Sequence, residues 1–157
     1  MARAYLGIGT NLGDRVAYLQ GAVDGLRRTA GVDVVDVSSI YETAPIGGPE
    51  QGAFLNAVVA VDTDLDPIGL LRVAQQLETE AERVRIERWG PRTLDVDVLM
   101  FGTIRSDDPE LLLPHPRMTD RAFVLIPLAE IAPELTASLG VTIPADQDVR
   151  RFAEGLQ

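Results

Sequence analysis

Two helix-length amphipathic stripes, each set between short apolar runs, limit the folds open to this chain more than any single residue does. Residues 3–9, Arg-Ala-Tyr-Leu-Gly-Ile-Gly, form a short apolar run that ends in the turn-forming Thr-Asn-Leu-Gly-Asp, the pattern of a buried strand followed by a loop. From Asp14, an N-cap residue type, Val16, Leu19, Val23 and Leu26 recur at helical spacing until Gly31 stops them. Residues 32–42 and 54–62 are rich in Val, Ile and Ala and read as strands on either side of a Gly/Pro-rich loop at 44–53. A loop of that length inside a compact domain is a candidate binding loop.

Asp66-Pro67 joins a cap to an N1 proline. Leu71, Ala74, Leu77, Ala81 and Val84 then supply a second apolar stripe, and the helix is expected to run to about residue 82. Residues 93–101 alternate Asp95 and Asp97 with Leu94, Val96 and Val98, a half-buried strand whose polar face carries two carboxylates. The order strand, helix, strand, strand, helix, strand is the split βαβ arrangement. It predicts a ferredoxin-like βαββαβ sandwich of the α+β class, an antiparallel sheet with its helices packed on one face. Residues 111–113 read as a short edge strand, Thr119 as the cap of a helical segment interrupted by Pro127, and residues 146–156 as a final helix. At 157 residues the chain fits one domain, 1–157, with a single core and no fused second enzyme.

Charge narrows the partners. The formal net charge of −10 opposes general affinity for nucleic acid. All 14 basic residues are arginine, and Arg83, Arg85, Arg88, Arg92, Arg105, Arg117 and Arg121 fall within one stretch of the chain. An acidic protein with one arginine-rich region suits small anions. With no cysteine, neither a disulfide framework nor a thiolate zinc site is available. The N-terminus does not read as a signal peptide and no apolar run suggests a membrane span, so a cytoplasmic protein is expected.

Asp95-Val96-Asp97 places two carboxylates on one strand face about 6–7 Å apart. Such a pair can hold magnesium together with substrate phosphates, or simply face solvent. The preceding run, residues 83–92, packs four arginines, Trp89, a glycine and a proline into ten residues. Arginine's planar fork matches phosphate oxygens, so a ligand-binding loop competes here with a solvated basic one. His115 sits between prolines with Arg117 and Arg121 nearby, and reads as either a structural residue or a phosphate contact. Gln75 and Glu78 share a helix face that meets ligand or solvent. Phe54 and Asn56 share a strand face, as a stacking ring beside an amide or as a core Phe beside an edge Asn. The chain has no lysine for a Walker loop, and residues 7–13 hold one residue too many for a dinucleotide fingerprint. No Ser-His-Asp or Cys-His nucleophile set is suggested, which leaves a substrate hydroxyl as the attacking group.

Taken together, Gly9-Thr-Asn-Leu-Gly-Asp14, Tyr41-Glu-Thr-Ala-Pro45, Phe54-Leu-Asn56, Arg88-Trp-Gly-Pro-Arg-Thr-Leu-Asp-Val-Asp97 and Leu113-Pro-His-Pro-Arg117 resemble the 6-hydroxymethyl-7,8-dihydropterin pyrophosphokinases of folate biosynthesis. The resemblance runs from about residue 4 to residue 135, and residues 88–97 are its most specific part. It implies transfer of pyrophosphate from ATP to the pterin hydroxymethyl with release of AMP, aided by two magnesium ions on Asp95 and Asp97. It also implies that Phe54 and Phe123 sandwich the pterin, that Asn56 and the backbone of Thr43, Ala44, Pro45, Ile46 and Gly47 bind its edge, and that Trp89 closes over the site. Gln75, Glu78, Arg85, Arg88, Trp89, Val98, His115, Arg117 and Arg121 would line the ATP site. Arg83 and Arg92 would act on the phosphates, Arg83 from a loop that closes over bound substrates. Glu110 stands where some members carry lysine. The expected partners are the two small-molecule substrates, with no nucleic acid and no membrane, and the expected state is a monomer. A non-catalytic nucleotide- or anion-sensing module of the same fold is the alternative.

Overall fold

The computed structural model describes residues 1–11, 14–43, 53–83 and 94–157. Its main sheet is antiparallel at every recorded pairing. Strand β1 (Ala2–Thr10) lies in the middle, with β4 (Phe54–Thr63) on one side and β5 (Asp95–Phe101) on the other. The far edge of β4 carries two short strands end to end, β2 (Val32–Val37) and β3 (Tyr41–Thr43). The 32–42 run is therefore broken, not continuous. Its register shifts between Val34 and Asp36, and at the break the Ser38 hydroxyl accepts a hydrogen bond from the Val58 N–H at 2.9 Å.

Helix α1 (Arg15–Arg28) starts where expected, because the Asp14 carboxylate accepts from the Ala17 N–H at 3.2 Å. Helix α2 (Pro67–Arg83) starts the same way, with Asp66 accepting from the Gly69 N–H at 2.7 Å. Both helices cover one face of the sheet. There Leu19, Val23 and Leu26 of α1 and Leu70, Ala74 and Leu77 of α2 pack on Leu6, Ile8, Val59 and Val96. Burying side chains of this size contributes about 1.5–3 kcal/mol each before the entropic cost of ordering them.

The opposite face is covered by helix α3 (Ala122–Ile131) and helix α4 (Pro133–Ser138), through a second, smaller cluster of Val58, Leu99, Met118, Val124 and Leu128. The fold is thus α+β, an antiparallel sheet with helices packed on it. Thr119 caps nothing: it lies in a 3-10 turn, Met118–Asp120, and α3 begins at Ala122. Pro127 is accommodated inside α3 and does not interrupt it.

Two further expectations are corrected. Leu111–Leu113 (β7) pairs with Ser106–Asp108 (β6) in a separate two-stranded sheet, and so is not an edge of the main one. Residues 146–156 contain no helix. Instead Val149–Arg151 (β8) pairs with β3, and the Phe152 N–H donates to the Ile40 carbonyl at 2.8 Å. The open edge of β3 offers this segment backbone partners, Phe152 packs against the main core, and Arg15 lies 5.8 Å from its ring centre. Such tertiary contacts override a weak local helical pattern. Among the described residues, no helix is long and apolar enough to cross a membrane.

Candidate functional site

The face beneath α3 and α4 is not filled. The side chains of a strand alternate between faces, and on this face the central strand presents Gly7 and Gly9. Gly9 pairs with Asn56 on β4 and with Asp95 on β5, while Gly7 pairs with Val58 and Asp97. The middle of the sheet is therefore bare backbone, with Asn56 on one side and the two carboxylates on the other. The result is a cleft of about 730 Å³, within the range typical of small-molecule sites.

Gly9 has no room for a side chain, because a Cβ there would lie 2.6 Å from the Asn56 side-chain oxygen. Asn56 itself is buried, and its amide donates to the Thr43 hydroxyl at 3.3 Å. Gly9→Ala is expected to displace Asn56 and to cost about 1–3 kcal/mol of stability, as overpacking does. Denaturant titration checks the loss; an unchanged midpoint would mean that Asn56 has space to move.

The second wall comes from the segment between β7 and α3. The His115 N–H donates to the Leu99 carbonyl at 2.8 Å, which ties this segment to the acid-bearing strand. The Arg117 N–H donates to His115 Nδ1 at 3.2 Å, so Nδ1 is the acceptor and Nε2 carries the ring proton. Burial pushes the imidazole below its ordinary value; Arg121 and Arg117 push the same way and Asp97 opposes them. His115 is thus neutral at pH 7, a donor through Nε2. Arg121 lies 5.5 Å from the Phe123 ring centre, a cation–π contact that orders both side chains at the cleft.

Thr43, Phe54, Asn56, Asp95 and Asp97 therefore share one cleft with His115, Arg117, Arg121 and Phe123. Three other candidates do not line it. Val98 is buried on the opposite face, in the α1 and α2 core, because it alternates with the acids. Gln75 is exposed on α2 and accepts from Arg72 at 2.9 Å. Glu78 accepts the Val96 N–H at 3.0 Å, holding the outer edge of β5 between the two acids. Ala44, Pro45, Ile46, Gly47, Arg85, Arg88, Trp89 and Arg92 lie outside the described residues, as does the side chain of Arg83, whose backbone ends α2. Glu110 makes an ion pair with Arg72 on α2.

The donor set suits a hard cation. Asp95 and Asp97 supply carboxylate oxygens at the cleft, Asp97 exposed and Asp95 half-buried. No group of three or more His, Cys, Asp or Glu able to hold a metal occurs among the described residues. Magnesium fits such a site, since it keeps waters and takes substrate phosphates beside one or two carboxylates.

Several residues of the site escaped sequence reasoning. Gly7 and Gly9 carried a usable signal, two glycines on one face of a strand where backbone is approached closely. A second group ties α3 to the segment at β3: Glu130 of α3 accepts from the Tyr41 hydroxyl at 2.7 Å and from the Ser39 hydroxyl at 2.9 Å. Burial and that hydrogen bond push the Tyr41 phenol from 10.0 up to about 12. The folded state then keeps a proton that the unfolded chain has lost, so this contribution to stability is complete below pH 10 and falls as pH rises towards 12. Ultraviolet titration is expected to show one of the three tyrosines ionising late, and Tyr41→Phe to remove that step.

Comparison with known proteins gives a consistent picture. The family model for 7,8-dihydro-6-hydroxymethylpterin-pyrophosphokinase matches residues 5–133. The 2-amino-4-hydroxy-6-hydroxymethyldihydropteridine pyrophosphokinase of Methylorubrum extorquens is 53% identical over 135 residues, covering 86% of this chain and 85% of the relative. The Bacillus subtilis protein of the same name is 49% identical, covering 84% of this chain and 79% of its own length. Among solved structures, the Plasmodium falciparum HPPK-DHPS wild type with pterin and p-hydroxybenzoate matches with a TM-score of 0.63 at 18% identity. That match covers 85% of this chain but 40% of the longer Plasmodium chain, and it speaks for the fold alone.

Proposed function

Because this chain belongs to the 7,8-dihydro-6-hydroxymethylpterin-pyrophosphokinase family, we propose that it transfers pyrophosphate from ATP to 6-hydroxymethyl-7,8-dihydropterin in folate biosynthesis. The pterin hydroxymethyl oxygen forms a bond to the β-phosphorus and gives up its hydroxyl proton to solvent, the bond from that phosphorus to the α-phosphate oxygen breaks, and AMP leaves with its electron pair. The observation that carries this reading is the row Asn56, Gly9, Asp95 across three strands, which sets an amide able to read a ring edge opposite carboxylates suited to a metal.

The reaction needs no protein nucleophile. Phosphoryl chemistry depends on positioning and charge stabilisation. Phe54 and Phe123 would stack on the pterin, with Asn56 and Thr43 at its edge. Arg117 and Arg121 would meet phosphate oxygens, and neutral His115 would donate to one through Nε2. Asp95 and Asp97 would hold magnesium, two ions in this proposal, which supplies the positive charge that neutralises the transferred group. Arg83, Arg85, Arg88, Arg92 and Trp89 complete the phosphate side in the same proposal, and residues 44–47 the pterin side. The contact of Glu78 with Val96 supports a role for it in holding the acid strand.

A ferredoxin-like topology for the core belongs to the same reading, supported by the strand order β5-β1-β4 with β2 and β3 beyond β4. So do a single domain spanning 1–157, a monomer and a cytoplasmic location. The deciding experiment supplies protein, Mg²⁺-ATP and the hydroxymethyl dihydropterin and follows nucleotide products. AMP that appears only with the pterin is expected; ADP, or no AMP, overturns the reaction.

A further inference from the structure

Beyond the family-matched residues 5–133, the chain returns to the cleft: Asp146, Gln147, Asp148 and Val149 form part of its wall beside Arg121 and Phe123. Gln147 makes two hydrogen bonds there. Its Oε1 accepts from the Ala122 N–H at 2.8 Å, and its Nε2 donates to the Asp120 carbonyl at 2.8 Å. The two bonds bracket Arg121. Only one orientation of the amide satisfies both, since an N–H lies on one side and a carbonyl on the other.

Arg121 is the N-cap residue of α3, just before its first residue Ala122, and it provides no side-chain cap of its own. The first N–H groups of a helix need acceptors, and here a distant glutamine supplies one of them. Two residues further on, Val149 pairs with Thr43 on β3, so the segment that carries Gln147 is itself anchored to the pterin-side strand. Gln147 thus connects β3, the start of α3 and the Arg121–Phe123 contact.

We propose that Gln147 is a positioning residue: it fixes the peptides on either side of Arg121, and thereby sets where Arg121 and Phe123 meet the substrates. The identity of those substrates rests on the pyrophosphokinase reading. A helix cap without this role would lower the melting midpoint and leave substrate affinity alone.

Gln147→Met keeps the side-chain length and loses both hydrogen bonds, while Gln147→Glu keeps the acceptor and loses the donor. The experiment measures melting midpoints, calorimetric affinity for the hydroxymethyl dihydropterin and for Mg²⁺-ATP, and KM and kcat for AMP release. Gln147→Met is expected to raise the pterin KM about tenfold, a binding loss of about 1.4 kcal/mol, with a smaller change in kcat. Gln147→Glu is expected to fall between wild type and Gln147→Met. In an Arg121→Ala, Phe123→Ala background, Gln147→Met should add less than about twofold, because coupled positions are not additive. Unchanged affinity for both ligands with a lowered midpoint overturns the proposal, as does full additivity in that background. Failure of the wild type to release AMP would instead overturn the reaction assigned above, since the ratio of variant to wild-type affinity is read without turnover.

Discussion

Asp97→Ala is expected to lower kcat by about 10²–10³-fold or more, the loss of about 3–4 kcal/mol that follows removal of one group stabilising transition-state charge. Asp95→Ala should do the same, since both carboxylates project from one face of β5 into the cleft. The fold should survive Asp97→Ala. Asp97 is exposed, and its cross-strand partner is Gly7, which has no side chain to lose contact with. A normal melting midpoint with collapsed turnover is therefore the expected pair of results. Wild-type turnover in either variant would refute the metal role. If the carboxylates hold the ion, calorimetry should also show weaker Mg²⁺-dependent binding of ATP in both variants.

Leu6→Ala is expected to have the opposite profile. Leu6 is fully buried on the face of the same central strand that α1 and α2 cover, one residue from Gly7. Truncating such a leucine costs about 2–5 kcal/mol, and a loss near the middle of that range lowers the melting midpoint of a domain this size by on the order of 10 °C. Well below that midpoint, KM for either substrate should stay close to wild type. The two faces of β1 would then separate stability from catalysis. A large KM change in folded Leu6→Ala protein would contradict that division.

Local pattern was readable where local chemistry decides structure. Asp14 and Asp66 start α1 and α2 because a short carboxylate in front of an apolar stripe satisfies the first helical N–H groups. Alternation likewise placed Asp95 and Asp97 together on one face of β5. Reading faltered where distant partners decide. Residues 149–151 become a strand because β3 has an unfilled edge, a fact absent from their own spacing. Residues 111–113 find their partner in a polar stretch, Ser106–Asp108, with no strand signal of its own. For the site, family motifs pointed to Phe54, Asn56, His115, Arg117, Arg121 and Phe123, which the fold gathers around one cleft. They include Gly9 without showing that its contribution, like that of Gly7, is the absence of a side chain, and they do not reach Gln147, whose partners are backbone groups 25 and 27 residues earlier.

The bare central strand also acts as a ruler. Asn56, Gly9 and Asp95 are register partners on three adjacent strands, so two interstrand spacings of about 4.8 Å separate the outer pair, roughly 9.6 Å between backbones. Hydrogen bonds on both sides of β1 hold that span, and no rotamer can alter it. With Asn56 and the carboxylates in the roles proposed above, the sheet would select by length: a compound whose reactive oxygen lies too near its recognised edge, or too far from it, would occupy the cleft without presenting that oxygen at the carboxylates.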